Sequence, residues 1–412
     1  MTRMKDSGIE WIGEVPEEWG ITKLKYICRM QSGNNLTSLE ISSENDGGKI
    51  FPVYGGNGQR GYYSDFTNEG NYCLVGRQGA LAGNVHFVSG KFWATDHAIV
   101  VYEHTHTYSK YLCYLLKAMN LNQYAFETSA QPGLSVEKIL QLEMIHCPKG
   151  EQTQIADFLD KKVAQLDEVK SLLEEQIKTL EDYRRSLIYE TVTKGLDKTV
   201  PLKDSGVEWI GQIPEGWEVG RLKDFVKFQT GTTPPQSVGV NQDESGIPWF
   251  KPGDFSDNSI DLLSSENHIT HEVVMQYNLS VYPKKTILLV GIASIGKVGY
   301  SAQPSYSNQQ ITALRTIGEI YPRYLAYLMF SSGRFIKETA LYTVVPIINN
   351  QYLATMRLVL PSENEQKIIV EYLDRKLEQI NQMIAIKKEQ IENINKQRQT
   401  LIYDYVTGKR RV

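Results

Sequence analysis

The chain has 412 residues, of which 41% are hydrophobic and 22% are charged, a composition that excludes a disordered protein and predicts two or three globular domains. The formal net charge of −4 argues against a strongly basic coat for nucleic acid, although it allows a DNA binder whose basic groups are local or supplied by a partner. The chain begins without an apolar signal core, and no run of residues approaches the roughly 18 apolar residues of a membrane span.

The first predicted element is a segment that occurs twice. DSGIEWIGEVPEEWGITKLKYICRMQSG (Asp6–Gly33) returns as DSGVEWIGQIPEGWEVGRLKDFVKFQTG (Asp204–Gly231), and 14 of the 28 aligned positions are identical. Four of the six tryptophans lie in the two copies. Internal repeats of this kind indicate a duplicated architecture.

The region that follows, residues 34–147, mixes strand-like and helical stretches between Gly-rich turns. FWATDHAIVVY is typical of a strand and YSKYLCYLLKAMN of a helix. GNGQRG fits a dinucleotide-binding pattern, but YYSDF follows it instead of a helix, which predicts a tight turn. Asp96 and His97 are interpreted as a strand-end pair that makes local hydrogen bonds. The four cysteines of the chain lie in its first half without CxxC spacing, which predicts reduced core thiols and a cytoplasmic location.

A long helix is predicted next, over residues 151–195. Leucines recur every seven residues at Leu159, Leu166, Leu173, Leu180 and Leu187. The helix contains no Pro, and Gly195 marks its end. Such a stripe favours a coiled coil. The alternative is that the helix packs only on its own globular region, but ~40 residues make ~60 Å of helix, which is too long for a domain of ~120 residues to cover.

After the second copy of the repeat, residues 232–360 show little similarity to residues 34–147. TILLVGIA is typical of a strand and YPRYLAYLMFSSGRFIKETA of a helix. GIASIGKV (Gly291–Val298) fits the phosphate-binding pattern G-x-x-x-x-G-K, yet Val298 stands where Mg²⁺ coordination needs a hydroxyl, and GYSAQPSYSN cannot form the helix that would hold phosphates. We find no metal-binding spacing and no persuasive catalytic constellation, so the chain is not expected to be an enzyme by itself.

The last predicted element is a second long helix, over residues 363–412, that ends near Gly408. EQKIIVEYLDRKLEQINQMI, from Glu365, matches EQTQIADFLDKKVAQLDEVK, from Glu151. Its apolar seam consists of Leu373, Ile380, Ile394 and Leu401, and Lys387 breaks the row. If the duplication produces a pseudo-two-fold axis, the two helices run antiparallel and the two chain ends lie close together.

The predicted fold class is therefore α+β with a pseudo-two-fold internal repeat. Two α/β-type heads, residues 1–150 and 196–362, are separated by a two-helix antiparallel coiled coil formed by residues 151–195 and 363–412.

The turn-rich segments of both heads carry side chains suited to the edges of bases. Arg offers paired donors to guanine, and Asn or Gln can pair with adenine. The candidates in the first head are Asn57, Gln59, Arg60, Tyr62, Tyr63, Arg77, Gln78 and Gln131. Those in the second head are Lys251, Asp254, Lys297, Asn308, Gln309, Gln310, Asn349, Asn350 and Gln351. For any one of them a solvated or turn-capping role is an equally good interpretation, whereas their concentration in Gly- or Pro-marked turns favours base contacts for the set.

The two-tryptophan repeat, the two coiled-coil segments and the two unlike inserts together resemble the specificity subunit of type I restriction–modification enzymes. Stretches similar to that family's target recognition domains are PVYGGNGQRGYY, GRQGALAGNV, FWATDHA, TSAQPGLS, IPWFKPGDF and GIASIGKVGYSAQPSYSNQQ. The resemblance implies a chain without catalytic residues or bound cofactors, in which each target recognition domain reads one half of a bipartite double-stranded DNA site.

The resemblance also implies partners. The helices would separate the half-sites and dock two modification subunits, which use S-adenosylmethionine to methylate adenine, and restriction subunits that use ATP and Mg²⁺ can join them. The charge distribution agrees with this expectation, since the most basic segment, residues 363–412, has an excess of only two positive charges. Base readout with little backbone affinity suits a subunit whose partners contact the phosphates.

Two other hypotheses compete with this one. The chain could be a two-headed protein–protein adaptor with the coiled coil as a spacer, or a nucleotide hydrolase that uses the Gly291 loop.

Overall fold

The computed structural model describes residues 3–79, 82–128, 131–233, 246–339 and 347–412. The chain forms two compact units, one from Met1–Leu173 with Lys388–Val412 and the other from Glu174–Lys387. We call them unit 1 and unit 2. Each long helix therefore belongs partly to unit 1 and partly to unit 2, whereas the sequence predicts the helices as segments distinct from the two heads.

Unit 1 is a mixed α+β unit that contains the first copy of the repeat. Its strands are β1 (Met4–Asp6), β2 (Glu14–Pro16), β3 (Gly20–Lys23), β4 (Cys28–Ser32), β5 (Phe51–Gly55), β6 (Gly58–Tyr63), β7 (Asn68–Gly76), β8 (Val85–Ala94), β9 (Ala98–Glu103), β10 (Phe126–Thr128), β11 (Gln131–Gly133) and β12 (Glu143–His146). Its helices are α1 (Ser109–Ala118), α2 (Val136–Leu140) and the first part of α3 (Lys149–Lys194), with 3₁₀ turns at Leu24–Tyr26 and Leu121–Tyr124.

The main sheet of unit 1 has six strands in the order β4-β9-β7-β8-β5-β6. Its pairs are antiparallel except for β5 with β8, which is parallel. Helix α1 buries Leu112, Leu115 and Leu116 in the core on which β4, β7 and β9 also pack. All four cysteines of the chain are buried and free, as the sequence analysis predicted for the thiols.

Unit 2 repeats this organisation. Its strands are β13 (Leu202–Asp204), β14 (Gln212–Pro214), β15 (Glu218–Arg221), β16 (Val226–Thr230), β17 (Ile247–Phe250), β18 (Asp261–Leu262), β19 (His268–Ile269), β20 (Thr286–Val290), β21 (Val298–Ser301), β22 (Tyr306–Ser307), β23 (Ile311–Thr316) and β24 (Arg357–Leu360). Its helices are α4 (Leu222–Phe225), α5 (His271–Gln276), α6 (Pro322–Ser331), α7 (Gly333–Thr339), α8 (Asn350–Thr355), the end of α3 and the start of α9 (Glu363–Val406), with a 3₁₀ turn at Pro252–Asp254.

The sheets of the two units share most of their topology despite their different sequences, although unit 2 has the additional edge strand β18 and divides its strands between a five-stranded and a three-stranded sheet. The antiparallel order β4-β9-β7-β8 of unit 1 has its counterpart in β16-β23-β20-β21 of unit 2. The parallel pair β5–β8 corresponds to the parallel pair β17–β22. The two inserts, which show little alignment in sequence, are therefore versions of one fold.

The long helices pair antiparallel within each unit. In unit 1, Phe158 of α3 packs on Tyr405 of α9 with ring centroids 4.5 Å apart. In unit 2, Lys387 of α9 donates a hydrogen bond of 2.5 Å from Nζ to Oε1 of Gln176 on α3. The break that Lys387 makes in the apolar row is therefore a polar contact between the helices.

The predicted seam residues are not buried equally. Leu159, Leu373 and Ile380 are buried. Those that are half-buried are Leu166, Leu173, Leu180, Leu187, Ile394 and Leu401. The most enclosed seam positions are those where the head also packs on the helices, because two helices alone cannot enclose a leucine from all sides.

Two predicted elements differ from the structure. FWATDHAIVVY is not one strand, because β8 ends at Ala94 and β9 begins at Ala98, with a turn between them. YPRYLAYLMFSSGRFIKETA is two helices, α6 and α7, that break at Ser332. The helix predicted from YSKYLCYLLKAMN is confirmed as α1.

The positions that the two copies share hold each head to its helices. Gln152 is buried at the start of α3, where Oε1 accepts from Tyr108 N at 2.8 Å and Nε2 donates to Cys147 O at 2.7 Å. Gln366, at the start of α9, makes the same bonds to Tyr321 N at 2.7 Å and Pro361 O at 2.9 Å. The match between EQTQIADF and EQKIIVEY thus reflects one structural motif that joins each helix to a head.

The tryptophans of the repeat have an equivalent role. Trp19 donates from Nε1 to Glu151 Oε2 at 3.0 Å in unit 1, and Trp217 donates to Glu365 Oε1 at 3.1 Å in unit 2. Helices α3 and α9 stop just before Gly195 and Gly408, both of which have positive φ angles, 67° and 73°, as expected for helix ends.

The two chain ends lie together in unit 1. Lys409 donates from Nζ to the backbone oxygens of Ile12, at 2.8 Å, and Glu14, at 3.1 Å. Arg411 forms ion pairs with Glu18 and with Glu151. The predicted proximity of the N- and C-terminal segments is confirmed.

Candidate nucleic-acid interface

In unit 1 the exposed recognition candidates lie on the hairpin formed by β5 and β6. Asn57, Gln59 and Arg60 are exposed, and they line one shallow cleft of about 340 Å³ together with Gln78 and His97. The cleft forms because the turn before β9 meets the edge hairpin of the sheet. Gly58, with a φ of 97°, allows the tight turn that the sequence predicted for GNGQRG.

The hairpin is held against the sheet by contacts beneath it. Asn84 donates from Nδ2 to Asn57 Oδ1 at 3.2 Å, and the ring of His86 lies under Gly58. Burial lowers the pKa of His86 below its usual value, so this ring is neutral at neutral pH. The turn therefore rests on an uncharged support while Gln59 and Arg60 face solvent.

The other candidates of the first head do not all lie in this cleft. Tyr62 and Tyr63 are half-buried, and Tyr63 packs edge-on against Trp93 with ring centroids 5.1 Å apart. Arg77 is half-buried and directly follows strand β7. Gln131 belongs to strand β11, but its side chain is outside the described part of the structure.

In unit 2 most candidates already hold a turn or strand in place. The Asp254 carboxylate accepts from the backbone of Lys251 at 2.6 Å, and Lys251 donates from Nζ to Asn267 Oδ1 at 3.1 Å while lying over the Trp249 ring. Lys297 donates to Phe255 O at 3.2 Å. Contacts of this kind are the turn-capping roles that the sequence analysis gave as the alternative for single residues.

The amide side chains of the second head divide into bonded and exposed groups. Asn308 is buried and donates from Nδ2 to Gln310 Oε1 at 2.9 Å. Asn349 caps α8, and Asn350 bridges Thr312 and Thr230. Gln309 and Gln351 are exposed, and the side-chain oxygen of Gln309 also accepts a hydrogen bond from Thr233 Oγ1.

The equivalent turns of the two units carry different side chains at the same place. Asp96 and His97 precede β9 in unit 1, and Gln309 and Gln310 precede β23 in unit 2. Asp96 and His97 are interpreted from the sequence as a local pair, but in the structure His97 also lines the cleft with Arg60. Its position next to a predicted strand end was the available signal.

The Gly291 loop lacks the structure of a nucleotide site. After Lys297 the chain enters strand β21 instead of a helix, so no helix N-terminus is available for phosphates. The loop lines a cleft of about 1140 Å³ in unit 2, where Lys297 pairs with Asp257 and Arg334 with Glu338. The loop therefore does not have the geometry on which the hydrolase hypothesis is based.

The described residues contain no group of His, Cys, Asp and Glu side chains that could hold a metal ion. Within the same residues, no helix has both the length and the apolar character needed to cross a membrane.

Comparison with known proteins places these features in one family. The chain matches the type I restriction modification DNA specificity domain over residues 16–180 and 214–395. It is 41% identical over 138 residues to the EcoprrI specificity subunit of Escherichia coli, an alignment that covers 34% of each chain. It is 24% identical to the putative MjaX specificity subunit of Methanocaldococcus jannaschii over 97% of this chain and 96% of that one.

A solved structure supports the same fold. A chain from a type I restriction–modification system, solved to explain complex assembly and conformational transition, superposes with a TM-score of 0.71 at 16% sequence identity, and the match covers 96% of this chain and 99% of that one. Since the family match extends over both inserts and most of both long helices, the chain belongs to the family of type I restriction–modification DNA specificity proteins.

Proposed function

We propose that this chain is the DNA-specificity subunit of a type I restriction–modification complex and that each head reads one half of a bipartite double-stranded site. The observation that supports this proposal most strongly is that similar heads occur twice in the chain, with different side chains in the turn before the equivalent strand. Gln152 and Gln366 make the same hydrogen bonds between a long helix and its head. The turn before the equivalent strand, by contrast, contains His97 in unit 1 and Gln310 in unit 2. Two such surfaces can distinguish two different half-sites.

The chain is proposed to work with partners that supply the chemistry. Two modification subunits would bind the long helices and methylate adenine with S-adenosylmethionine, and restriction subunits would use ATP and Mg²⁺, so this chain needs no catalytic residue or cofactor of its own. Exposed apolar side chains on the helices support a docking role. Val169 and Leu172 are 47% and 51% exposed on α3, and Ile386 is 55% exposed on α9. The four free buried thiols fit a reducing compartment, the cytoplasm.

The test is the methylation pattern of the assembled complex. The chain is co-expressed with its modification subunits, and methylated adenines are mapped by sequencing. Arg60→Ala combined with Gln59→Ala should change or weaken recognition of one half-site, whereas Gln309→Ala should affect the other. Each lost base contact should cost about 1–3 kcal/mol of discrimination.

A matched control lies in the same sheet. Arg29 is exposed on β4, the strand at the opposite edge from β6, where it stacks on Tyr102. Arg29→Ala should leave the methylated sequence unchanged. If the assembled complex gave no sequence-dependent gel shift, the adaptor hypothesis would replace this proposal.

A further inference from the structure

A cavity of about 240 Å³ in unit 2 contains a buried arginine with unused donors. Arg184, on α3, is 4% exposed and lines the cavity. It donates from Nη1 to Asn381 Oδ1 at 3.0 Å. Its Nε and Nη2 atoms are buried and have no hydrogen-bond partner among the described residues. Burial lowers the pKa of Arg184, and the nearby Glu181 carboxylate opposes this effect only in part, because a charged group is costly to remove from water.

The two unused nitrogens define the shape of the missing partner. Nε and Nη2 form one edge of the guanidinium and present two parallel N–H donors, the arrangement that binds both oxygens of a carboxylate. A second lining residue, Asn258, has a buried Oδ1 atom that also lacks a partner among the described residues. The complementary ligand therefore brings two acceptors to Arg184, and a donor towards Asn258 would complete the fit.

The equivalent arginine of unit 1 shows what unit 2 lacks. Arg398 corresponds to Arg184, and Asp167 corresponds to Asn381, both at the 214-residue offset that relates the helices. Arg398 pairs with the carboxylate of Asp167, with Nη1 and Oδ1 3.7 Å apart, while its Nε atom, like that of Arg184, is buried without a hydrogen-bond partner among the described residues. In unit 2 the same position offers only a neutral amide. Arg184 therefore lacks a carboxylate at the position equivalent to Asp167, and the nearest negative charge is Glu181, which favours its charged form and accepts a hydrogen bond from Asn258.

The remaining charges around the cavity set the charge of the ligand. Arg323 is occupied, because it pairs with Asp261 at 2.6 Å and with Asp374 at 2.9 Å. Glu378 also lines the cavity and accepts from Gln382. With two arginines and three carboxylates, the lining has a net charge of −1, so like-charge repulsion acts on any anion and most strongly on a dianion such as phosphate. Among anions, a group with a single negative charge held at the free edge of Arg184 is therefore repelled least.

We propose that this cavity binds a carboxylate group through the Nε and Nη2 edge of Arg184. The group belongs either to a small free carboxylate or to an Asp or Glu side chain of a bound protein. The cavity is smaller than typical sites for drug-sized ligands, which fits one acidic side chain or a small acid. The recognition candidates of unit 2 do not line it, so the site is separate from base reading.

The first test uses the full chain with sodium acetate as the probe. Thermal unfolding is followed at pH 7.5 and constant ionic strength while acetate replaces chloride. Acetate should raise the Tm of the wild-type protein in a concentration-dependent way, as any ligand of the folded state does, and phosphate should not. Arg184→Lys keeps the charge but loses the two-donor edge, so it should weaken acetate binding at least tenfold. Arg185→Gln removes the neighbouring exposed arginine and should respond like the wild type.

A variant that copies the arrangement of unit 1 tests the argument independently. Asn381→Asp places a carboxylate where Asp167 stands in the other unit. It should raise the Tm in chloride and weaken the response to acetate, because the new carboxylate pairs with Nη1 and repels an anion at the neighbouring edge. This variant keeps the proposal testable even if Arg184→Lys fails to fold.

A second measurement separates the two sources of the carboxylate and rests on the proposed function. Affinity for the modification subunits is measured for the wild type, Arg184→Lys and Arg185→Gln. A tenfold loss confined to Arg184→Lys, with competition by acetate, assigns the site to a partner's acidic side chain, whereas unchanged affinity with an acetate response assigns it to a free carboxylate. If acetate has no effect on the wild-type Tm and Arg184→Lys binds its partners normally, the proposal is wrong. The acetate response is measured without DNA, so it can fail while sequence recognition succeeds, and the reverse.

Discussion

Truncation of the two buried seam leucines gives a direct test of how the helices stabilise each unit. Leu159 and Leu373 occupy equivalent positions in the repeat, and both are 0% exposed. Replacing either by Ala removes three carbons from a closely packed site, and such changes cost about 2–5 kcal/mol through lost burial and the cavity that remains. Leu172, one residue before the seam position Leu173, is 51% exposed, and Leu172→Ala should cost about 0.5 kcal/mol or less.

The location of the effect should differ between the two variants. For a unit of about 200 residues, 1 kcal/mol corresponds to a shift in Tm of about 2–4 °C, so each truncation should lower one transition by about 4–20 °C. Leu159→Ala should act on the unfolding of unit 1 and Leu373→Ala on that of unit 2. Differential scanning calorimetry measures both, and pulse proteolysis identifies the unit that has opened.

One outcome would refute the reasoning. If Leu159→Ala and Leu373→Ala cost no more than Leu172→Ala, the leucine stripe would not be a buried seam. Circular dichroism of the three variants serves as the check that all of them fold.

Three further predictions concern recognition, spacing and pH. Replacing residues 34–147 with the insert of another specificity subunit should change one half-site in the methylation map and leave the other unchanged; simultaneous change of both would contradict independent reading. One heptad inserted after Leu173 and one after Lys387 adds ~10 Å to each helix. A DNA library that varies only the gap between half-sites should then show a preferred gap longer by about three base pairs, with weaker methylation because one half-site also rotates by ~100°. An unchanged gap would show that the helices do not set the spacing. Burial lowers the pKa of His86 in the folded state, so the unfolded chain binds a proton at His86 more readily than the folded chain does. The stability that His86 contributes is therefore complete above its ordinary pKa of about 6.5. It is lost as the pH falls through that value towards the folded pKa. Urea unfolding between pH 7.5 and 5 should show a smaller loss of stability in His86→Gln than in the wild type, and equal losses would argue against the buried, neutral ring.

The recognition surface shows where reasoning from sequence reaches its limit. Composition and turn signals selected Asn308 and Gln309 equally, yet one side chain is buried against Gln310 and its neighbour is exposed. Whether an amide points into the turn or out to solvent depends on which strands surround that turn. Those strands come from distant parts of the chain, so no local pattern carries the answer.

The sequence by itself determined the features that depend on identical or periodic residues. The copies that begin at Asp6 and Asp204 predicted the duplication and, through its pseudo-two-fold axis, the antiparallel pairing of the helices, while the leucine spacing predicted the helices themselves. Helix periodicity is a local property, because each turn bonds to residues four positions away.

Only the tertiary structure showed that the two unlike inserts share most of their sheet topology and that Arg184 lacks the carboxylate that Arg398 has. Neighbouring strands are joined by backbone hydrogen bonds, which almost any apolar sequence can make. Two inserts can therefore diverge in sequence while the order of their strands is preserved. The pairing of a buried charge depends in the same way on which side chain of another helix lies beside it, and the fold decides that neighbour.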